Sequence, residues 1–247
     1  MSKKIDIIIP ARLNSTRLPR KVLLKLGNKT MLERVYNNVK IFEGNLINKV
    51  FIAVDSEEIF NCATLFCSKE NIIITSDRHT NGTSRIKEAI KQTKSDYVIN
   101  IQADEPFLEP KSIMPLLDLL NFSEIEVAST FSKITSSEEF NDPNVVKVIL
   151  DEKNNAIYFS RAPIPFFRNL DLFKQNYPLR HNGVYAYSKN FLEKKLLVSN
   201  STLSEIESLE QLAFLENGIK IKMVEVETHF KGIDTYEDYI IATKKFN

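Results

Sequence analysis

Four short runs rich in isoleucine and valine, IDIII at 5–9, KVFIAV at 49–54, NIIIT at 71–75 and YVINI at 97–101, recur along the first hundred residues with a helix-length segment between successive runs. Such spacing excludes tight hairpins and requires right-handed crossovers, which produce a parallel sheet covered on both faces. The intervening segments carry helix signals of their own. Thr30 followed by Glu33 forms a capping box ahead of TMLERVYNNV, whose Met31, Val35 and Val39 share one face. Ser56 opens SEEIFNCATLF, and GTSRIKEAI supplies a third helix.

The second half changes pattern. NVVKVILDEKNNAIYFS holds two β-prone runs, 145–150 and 156–160, joined by a polar turn, and reads as a hairpin. HNGVYAYSK and IKIKMVEVE add strands, and SEIESLEQLAFLENG reads as one helix capped at Ser204, with Glu207 three residues on and a stop at Gly218. With no Pro/Gly-rich linker or repeat to divide it, the chain is expected to be a single domain over 1–247. The expected fold is α/β, a doubly wound, mostly parallel, Rossmann-like sheet with an inserted β-hairpin lobe at about 140–187.

Thirty-three Lys plus Arg against thirty-two Asp plus Glu give a net charge of +1, which argues against nucleic acid and membrane surfaces as partners. Residues 1–25 are the local exception, with seven Lys or Arg and a single acid, Asp6. Local positive charge in a neutral protein suggests a small anionic ligand. The two cysteines, Cys62 and Cys67, have neither redox nor zinc spacing and are expected in a helix. No signal peptide or long apolar run is evident, so a cytoplasmic location is expected.

In an open parallel sheet, ligands gather at the carboxyl ends of the strands. The first loop to leave such an end is IIIPARLNSTRLPRKVL, residues 7–23. Arg12 and Arg17 can fork onto phosphate oxygens, Lys21 acts as a mobile point charge, and Asn14, Ser15 and Thr16 offer amides and hydroxyls. Neither a P-loop nor a GxGxxG pattern is present. Asp104 lies just past the fourth run and suits a magnesium ion, the alternative being an acid-rich turn. Asp234 reads either as an N-cap or as a second metal carboxylate, with Thr235 and Asp238 then forming the capping box. Two carboxylates facing a basic loop fit phosphoryl or nucleotidyl transfer.

ITSDRHTNGTSRI, VINIQADEPF, DPNVVKVILD, IYFSRAPIPF, PLRHNGVYAYSKNFL, IESLEQLAFLENG and KGIDTYEDY follow the basic loop in that order. Together they resemble the 3-deoxy-manno-octulosonate cytidylyltransferases, the CMP-Kdo synthetases, over nearly the whole chain. The resemblance implies a nucleotide-diphospho-sugar transferase-like fold and transfer of a cytidylyl group from CTP to Kdo for lipopolysaccharide synthesis. It implies that Arg12, Arg17 and Lys21 receive the CTP phosphates, that Arg78, Asn81, Gly82 and Thr83 help form the cytidine site, and that Asp104 and Asp234 hold Mg2+. Arg12, Lys21, Asp104 and Asp234 are thus the catalytic candidates, and the sugar falls to Gln102, Arg161, His181, Tyr185 and Gln211. A homodimer formed partly by the hairpin lobe is also implied.

Several positions depart from the family's pattern: Arg20 and Val22 stand where Gly and Pro are common, Ala103 where Gly is usual, Asn182 where an apolar residue is usual, and Ala213 where Arg is frequent. The last two adjoin the expected sugar residues, which leaves 8-amino-Kdo or another acidic 2-keto sugar open as acceptor. A catalytically silent nucleotide-binding protein is the non-enzyme alternative.

Overall fold

The computed structural model describes residues 3–15, 17–79, 81–169, 171–195, 201–227 and 232–246. The chain, which reads as a single domain in sequence, divides into two compact units, Met1–Lys111 with Phe230–Asn247 and Ser112–His229.

The first unit runs β1 (Ile5–Ala11), β2 (Lys25–Leu26), β3 (Lys29–Thr30), α1 (Met31–Lys40), β4 (Val50–Val54), α2 (Glu57–Ala63), β5 (Ile72–Ile74), α3 (Gly82–Ala89) and β6 (Tyr97–Asn100), and takes in the C-terminal helix Tyr236–Phe246. All four apolar runs are strands, paired in parallel in the order β6-β1-β4-β5. Continuous apolarity rather than alternation is explained by burial on both faces: Ile7, Ile8 and Ile9 are all 0% exposed. The chain leaves β1 toward β4 and β5 on one side and returns to β6 on the other, so the order reverses between β1 and β6. That reversal opens a crevice at the strands' carboxyl ends, where the 12–21 loop and the segment from Gln102 to Asp104 both emerge.

Thr30, Ser56 and Asn81 cap α1, α2 and α3, each accepting a hydrogen bond from the amide three residues on. Cys62 lies in α2, but Cys67 lies beyond its end, contrary to the sequence expectation, because the helix stops at Ala63. Burial pushes both thiols up, so neither is an activated nucleophile.

The second unit runs α4 (Met114–Phe122), β7 (Val127–Lys133), α5 (Ser137–Asn141), β8 (Lys147–Leu150), β9 (Ala156–Ser160), α6 (Asp171–Gln175), β10 (Leu179–Ser188), α7 (Thr202–Glu207), α8 (Gln211–Glu216) and β11 (Ile221–Glu225). Strand β7 pairs in parallel with β11 and antiparallel with β10, and the expected hairpin β8–β9 joins β10 through β8. The single helix expected from Ser204 to Gly218 is two helices. Its cap is Ser201, and the chain breaks at Ser208, which adopts the left-handed conformation with φ 53°. Gly218, with φ 71°, ends the second helix as the sequence suggests.

Among the described residues no helix is long and apolar enough to cross a membrane.

Candidate functional site

Two apolar side chains set the geometry of the charged cluster. Leu18 lies in the basic loop and Ile233 directly precedes Asp234. Both are buried in one cluster with Leu26, Met31 and Ala242, each side chain contributing about 1.5–3 kcal/mol of burial. Leu18 thereby holds its neighbour Arg17 and nearby Lys21 over the crevice, as Ile233 holds Asp234. The Ile233 amide also donates to the Asp104 carbonyl at 2.9 Å, which fixes the two acids beside each other.

The Lys21 ammonium donates to an Asp104 carboxylate oxygen and, at 3.0 Å, to Asp234 Oδ1. Arg17 Nη2 lies 3.0 Å from the same Asp234 oxygen. The capping alternative for Asp234 is resolved by its neighbours. Thr235 Oγ1 accepts from the Asp238 amide at 3.1 Å while Asp238 Oδ2 accepts from the Thr235 amide at 3.0 Å, a reciprocal box that leaves the Asp234 carboxylate to face the cations.

Burial opposes the charge on Lys21, whose side chain is 10% exposed, but Asp104 and then Asp234 outweigh it and hold the ammonium above its usual range. Glu105 points the other way. It is buried, its Oε2 has no hydrogen-bond partner among the described residues, and burial, followed by the charges of Asp104 and Asp234, pushes its carboxyl well up. Asp104 and Asp234 converging on one cation fit a hard divalent ion, which takes one or two carboxylates and completes its shell with phosphate and water. Among the described residues no third His, Cys, Asp or Glu joins them.

The other nucleotide candidates also lie in the first unit. Arg12 is exposed just past β1, and Arg78 is exposed on the turn after β5. Asn81 spends its side-chain oxygen capping α3, with Gly82 and Thr83 in the first turn. A Cβ at Gly82 would sit 3.2 Å from Gln102 Nε2 and 3.5 Å from Pro10 Cγ, so glycine permits close approach of α3 to the ends of β1 and β6. Gln102, expected on the sugar, lies against that helix start. Thr16 lies outside the described residues. Arg20 turns away: it adopts φ 56° and pairs with Glu58 of α2.

The remaining sugar candidates lie in the second unit. Two extra residues, Gly183 and Val184, bulge β10 between Asn182 and Tyr185, which preserves side-chain parity, so His181 and Tyr185 stay on one face with rings 5.3 Å apart. Ser129 Oγ donates to the Val184 carbonyl at 2.8 Å, leaving its lone pair to His181 Nε2–H at 2.9 Å, while His181 Nδ1 faces Gln211 Nε2 at 3.5 Å. Burial lowers His181 to about 3, so the imidazole is neutral. The Tyr185 hydroxyl is buried without a partner among the described residues. Arg161 donates to the carbonyls of Glu207 at 2.9 Å, Pro143 at 3.0 Å and Ser208 at 3.4 Å, fastening the break between α7 and α8.

A cytidylyltransferase family model matches residues 7–221. The 3-deoxy-manno-octulosonate cytidylyltransferase of Thermodesulfovibrio yellowstonii is 39% identical, covering 97% of each chain. That of Fusobacterium nucleatum is 42% identical, covering 94% of this chain and 92% of its own. The chain belongs to the 3-deoxy-manno-octulosonate cytidylyltransferase family. A solved CMP:2-keto-3-deoxy-manno-octonic acid synthetase complexed with CTP superimposes with TM-score 0.89 at 32% identity over 98% of both chains. A more distant likeness, to a 4-diphosphocytidyl-2C-methyl-D-erythritol synthase from Anaerococcus prevotii (TM-score 0.64, 20% identity), shows the shared fold alone.

In this cytidylyltransferase, sequence reasoning passes over Asp55, Arg85, Ser129 and Lys147. Asp55 directly follows β4 as the chain emerges at the same sheet end as Asp104, so the signal that finds one acid could have found the other. Lys147 is 0% exposed and gives its ammonium to the carbonyls of Asp142, Val145 and Arg161, which no pattern of alternation reveals.

Proposed function

We propose that this cytidylyltransferase transfers the cytidylyl group of CTP to 3-deoxy-D-manno-octulosonate, giving CMP-Kdo and pyrophosphate for lipopolysaccharide synthesis. The observation that carries the reading is the convergence of Lys21, Arg17, Asp104 and Asp234 at the crevice beside β1, in a chain whose relatives bear that enzyme's name.

The anomeric hydroxyl oxygen of the sugar forms a bond to the α-phosphorus, the bond from that phosphorus to the β-phosphate oxygen breaks, and its electron pair leaves with pyrophosphate. The hydroxyl proton passes to solvent, since a neutral His181 lowered to about 3 is a poor base. Arg12 and Arg17 bind phosphate oxygens through forked donors, and Lys21 adds a point charge. Mg2+ held by Asp104 and Asp234 would supply further positive charge where the pyrophosphate's charge develops. Arg78, Asn81, Gly82 and Thr83 orient the cytidine. Gln102, Arg161, His181, Gln211 and the Tyr185 hydroxyl, which has no partner among the described residues, orient the sugar acid. A homodimer through the hairpin lobe is supported by exposed Ile157 and Phe166 within that lobe, and light scattering giving a monomer mass at micromolar concentration would contradict it.

The test is pyrophosphate release from the four nucleoside triphosphates with Mg2+ against Kdo, 8-amino-Kdo, sialic acid and hexose 1-phosphates. CTP with Kdo is the expected pair. CTP with 8-amino-Kdo would reassign the acceptor, preference for UTP or a hexose phosphate would overturn the reading, and CTP binding without release would favour the silent nucleotide-binding protein.

A further inference from the structure

Arg85 lies on α3, 2% exposed, and each end of its guanidinium has a fixed partner. Nη2 donates to Asp55 Oδ2 at 3.0 Å, and Nη1 donates to Thr75 Oγ1 at 2.6 Å and to the Ser76 carbonyl at 3.2 Å. The other carboxylate oxygen of Asp55 accepts the Leu13 amide at 3.0 Å. Thr75 Oγ1 in turn donates to the Val54 carbonyl at 2.9 Å. One ion pair therefore ties together the chain as it leaves β1, β4 and β5, three neighbouring strands of the same sheet.

We infer that Arg85 and Asp55 are positioning residues for the triphosphate loop, acting through the Arg12–Leu13 peptide to hold Arg12 where CTP phosphates meet it. The inference rests on the CTP reading above. The donating amide belongs to the planar unit that also contains the Arg12 carbonyl, so fixing it removes a rotation about the Arg12 backbone. Stability alone gives little reason for the arrangement, because a buried ion pair is commonly no better than apolar groups of the same volume. What an apolar pair could not supply is an acceptor for the Leu13 amide, registered to two other loops at once. Neither residue touches the Asp104, Asp234 and Lys21 cluster in the hydrogen bonds described; their described link to the triphosphate loop is the Leu13 amide, beside the charge repulsion between Arg85 and Arg12.

Asp55→Asn is the mild test, since its amide oxygen can still face Leu13 while the charge that holds Arg85 is gone. Arg85→Lys keeps the charge but not the fork. Calorimetric titration with CTP and Mg2+, beside steady-state kinetics, should show Kd and KM for CTP raised ~10-fold in each and KM for the sugar acid unchanged. In an Arg12→Ala background the Asp55→Asn effect should shrink below ~2-fold, because the group it positions is no longer there. A purely structural role would instead lower the folded fraction and kcat, leaving KM for CTP at the wild-type value. That result, or additivity with Arg12→Ala, overturns the inference. Wild-type protein that fails to bind CTP overturns the functional reading as well, so the two failures are told apart by the unsubstituted control.

Discussion

The amide of Ile233 donates to the carbonyl of Asp104 at 2.9 Å, and the residue after Ile233 shares the Lys21 ammonium with Asp104. One backbone bond thus sets the separation of two carboxylates that arrive from distant parts of the chain. Apolar burial of Ile233 and Leu18 in a common cluster keeps that bond and the basic loop in register.

Charge at the cluster separates the loop's cations by role. Lys21→Ala and Arg12→Ala should lower kcat/KM for CTP by roughly ten- to a thousandfold. Arg17→Lys should not restore what Arg17→Ala loses, because an ammonium lacks the fork. Arg20→Ala, whose side chain pairs with Glu58 instead, should change kcat/KM by less than about threefold. Steady-state titrations of CTP decide the order.

Asp234 is held by two cations, Lys21 and Arg17, so with Asp104 the four side chains are balanced, two positive against two negative. Asp234→Asn leaves one positive charge in excess. Metal-free CTP should therefore bind as tightly as to wild type or up to about tenfold tighter, while Mg2+-dependent turnover falls by at least about a hundredfold. Titration with CTP in chelator, set against pyrophosphate release, checks both halves. Weaker metal-free binding would contradict the charge account.

Arg20 isolates a backbone effect. In the left-handed region, with φ 56°, a residue with a Cβ costs about 1–2 kcal/mol that glycine avoids. Arg20→Gly should therefore be more stable than Arg20→Ala by roughly 1 kcal/mol, both having lost the contact to Glu58. Urea unfolding of the two variants measures the difference directly.

His181 predicts a pH dependence. Its folded value of about 3 lies below the ordinary 6.5, so between these limits the unfolded chain binds a proton that the folded chain does not. Its contribution to stability is complete above pH 6.5 and is lost as pH falls toward 3. His181→Gln should flatten that acid slope, and the imidazole proton resonances of His181 should not titrate between pH 5 and 8. A midpoint near 6.5 would show the ring exposed.

The parallel strands are legible because double-sided burial leaves unbroken isoleucine runs, and the caps at Thr30 and Ser56 are legible because their bonds are local. The helix from 204 to 218 misreads for the opposite reason. Glu207, which completes a capping pattern with Ser204, instead gives its carboxylate to Ser160 Oγ at 2.6 Å and the Arg161 amide at 2.9 Å, and Arg161 fastens the left-handed break. Partners remote in sequence outweigh a local signal there. In the site, Arg17, Lys21, Asp104 and Asp234 are visible as charges at strand ends, and Asp55 is open to the same reading, whereas the ties from Asp55 to the Leu13 amide and to Arg85 join residues remote in sequence and leave no local signal.

The most direct measurement is mass spectrometry of the products formed from CTP, Mg2+ and Kdo by wild-type and Lys21→Ala protein. The account predicts CMP-Kdo and pyrophosphate in equal amounts from the wild type, slowed by at least about tenfold in the variant. Free CMP without the sugar adduct, unchanged CTP, or equal product from both proteins would contradict it.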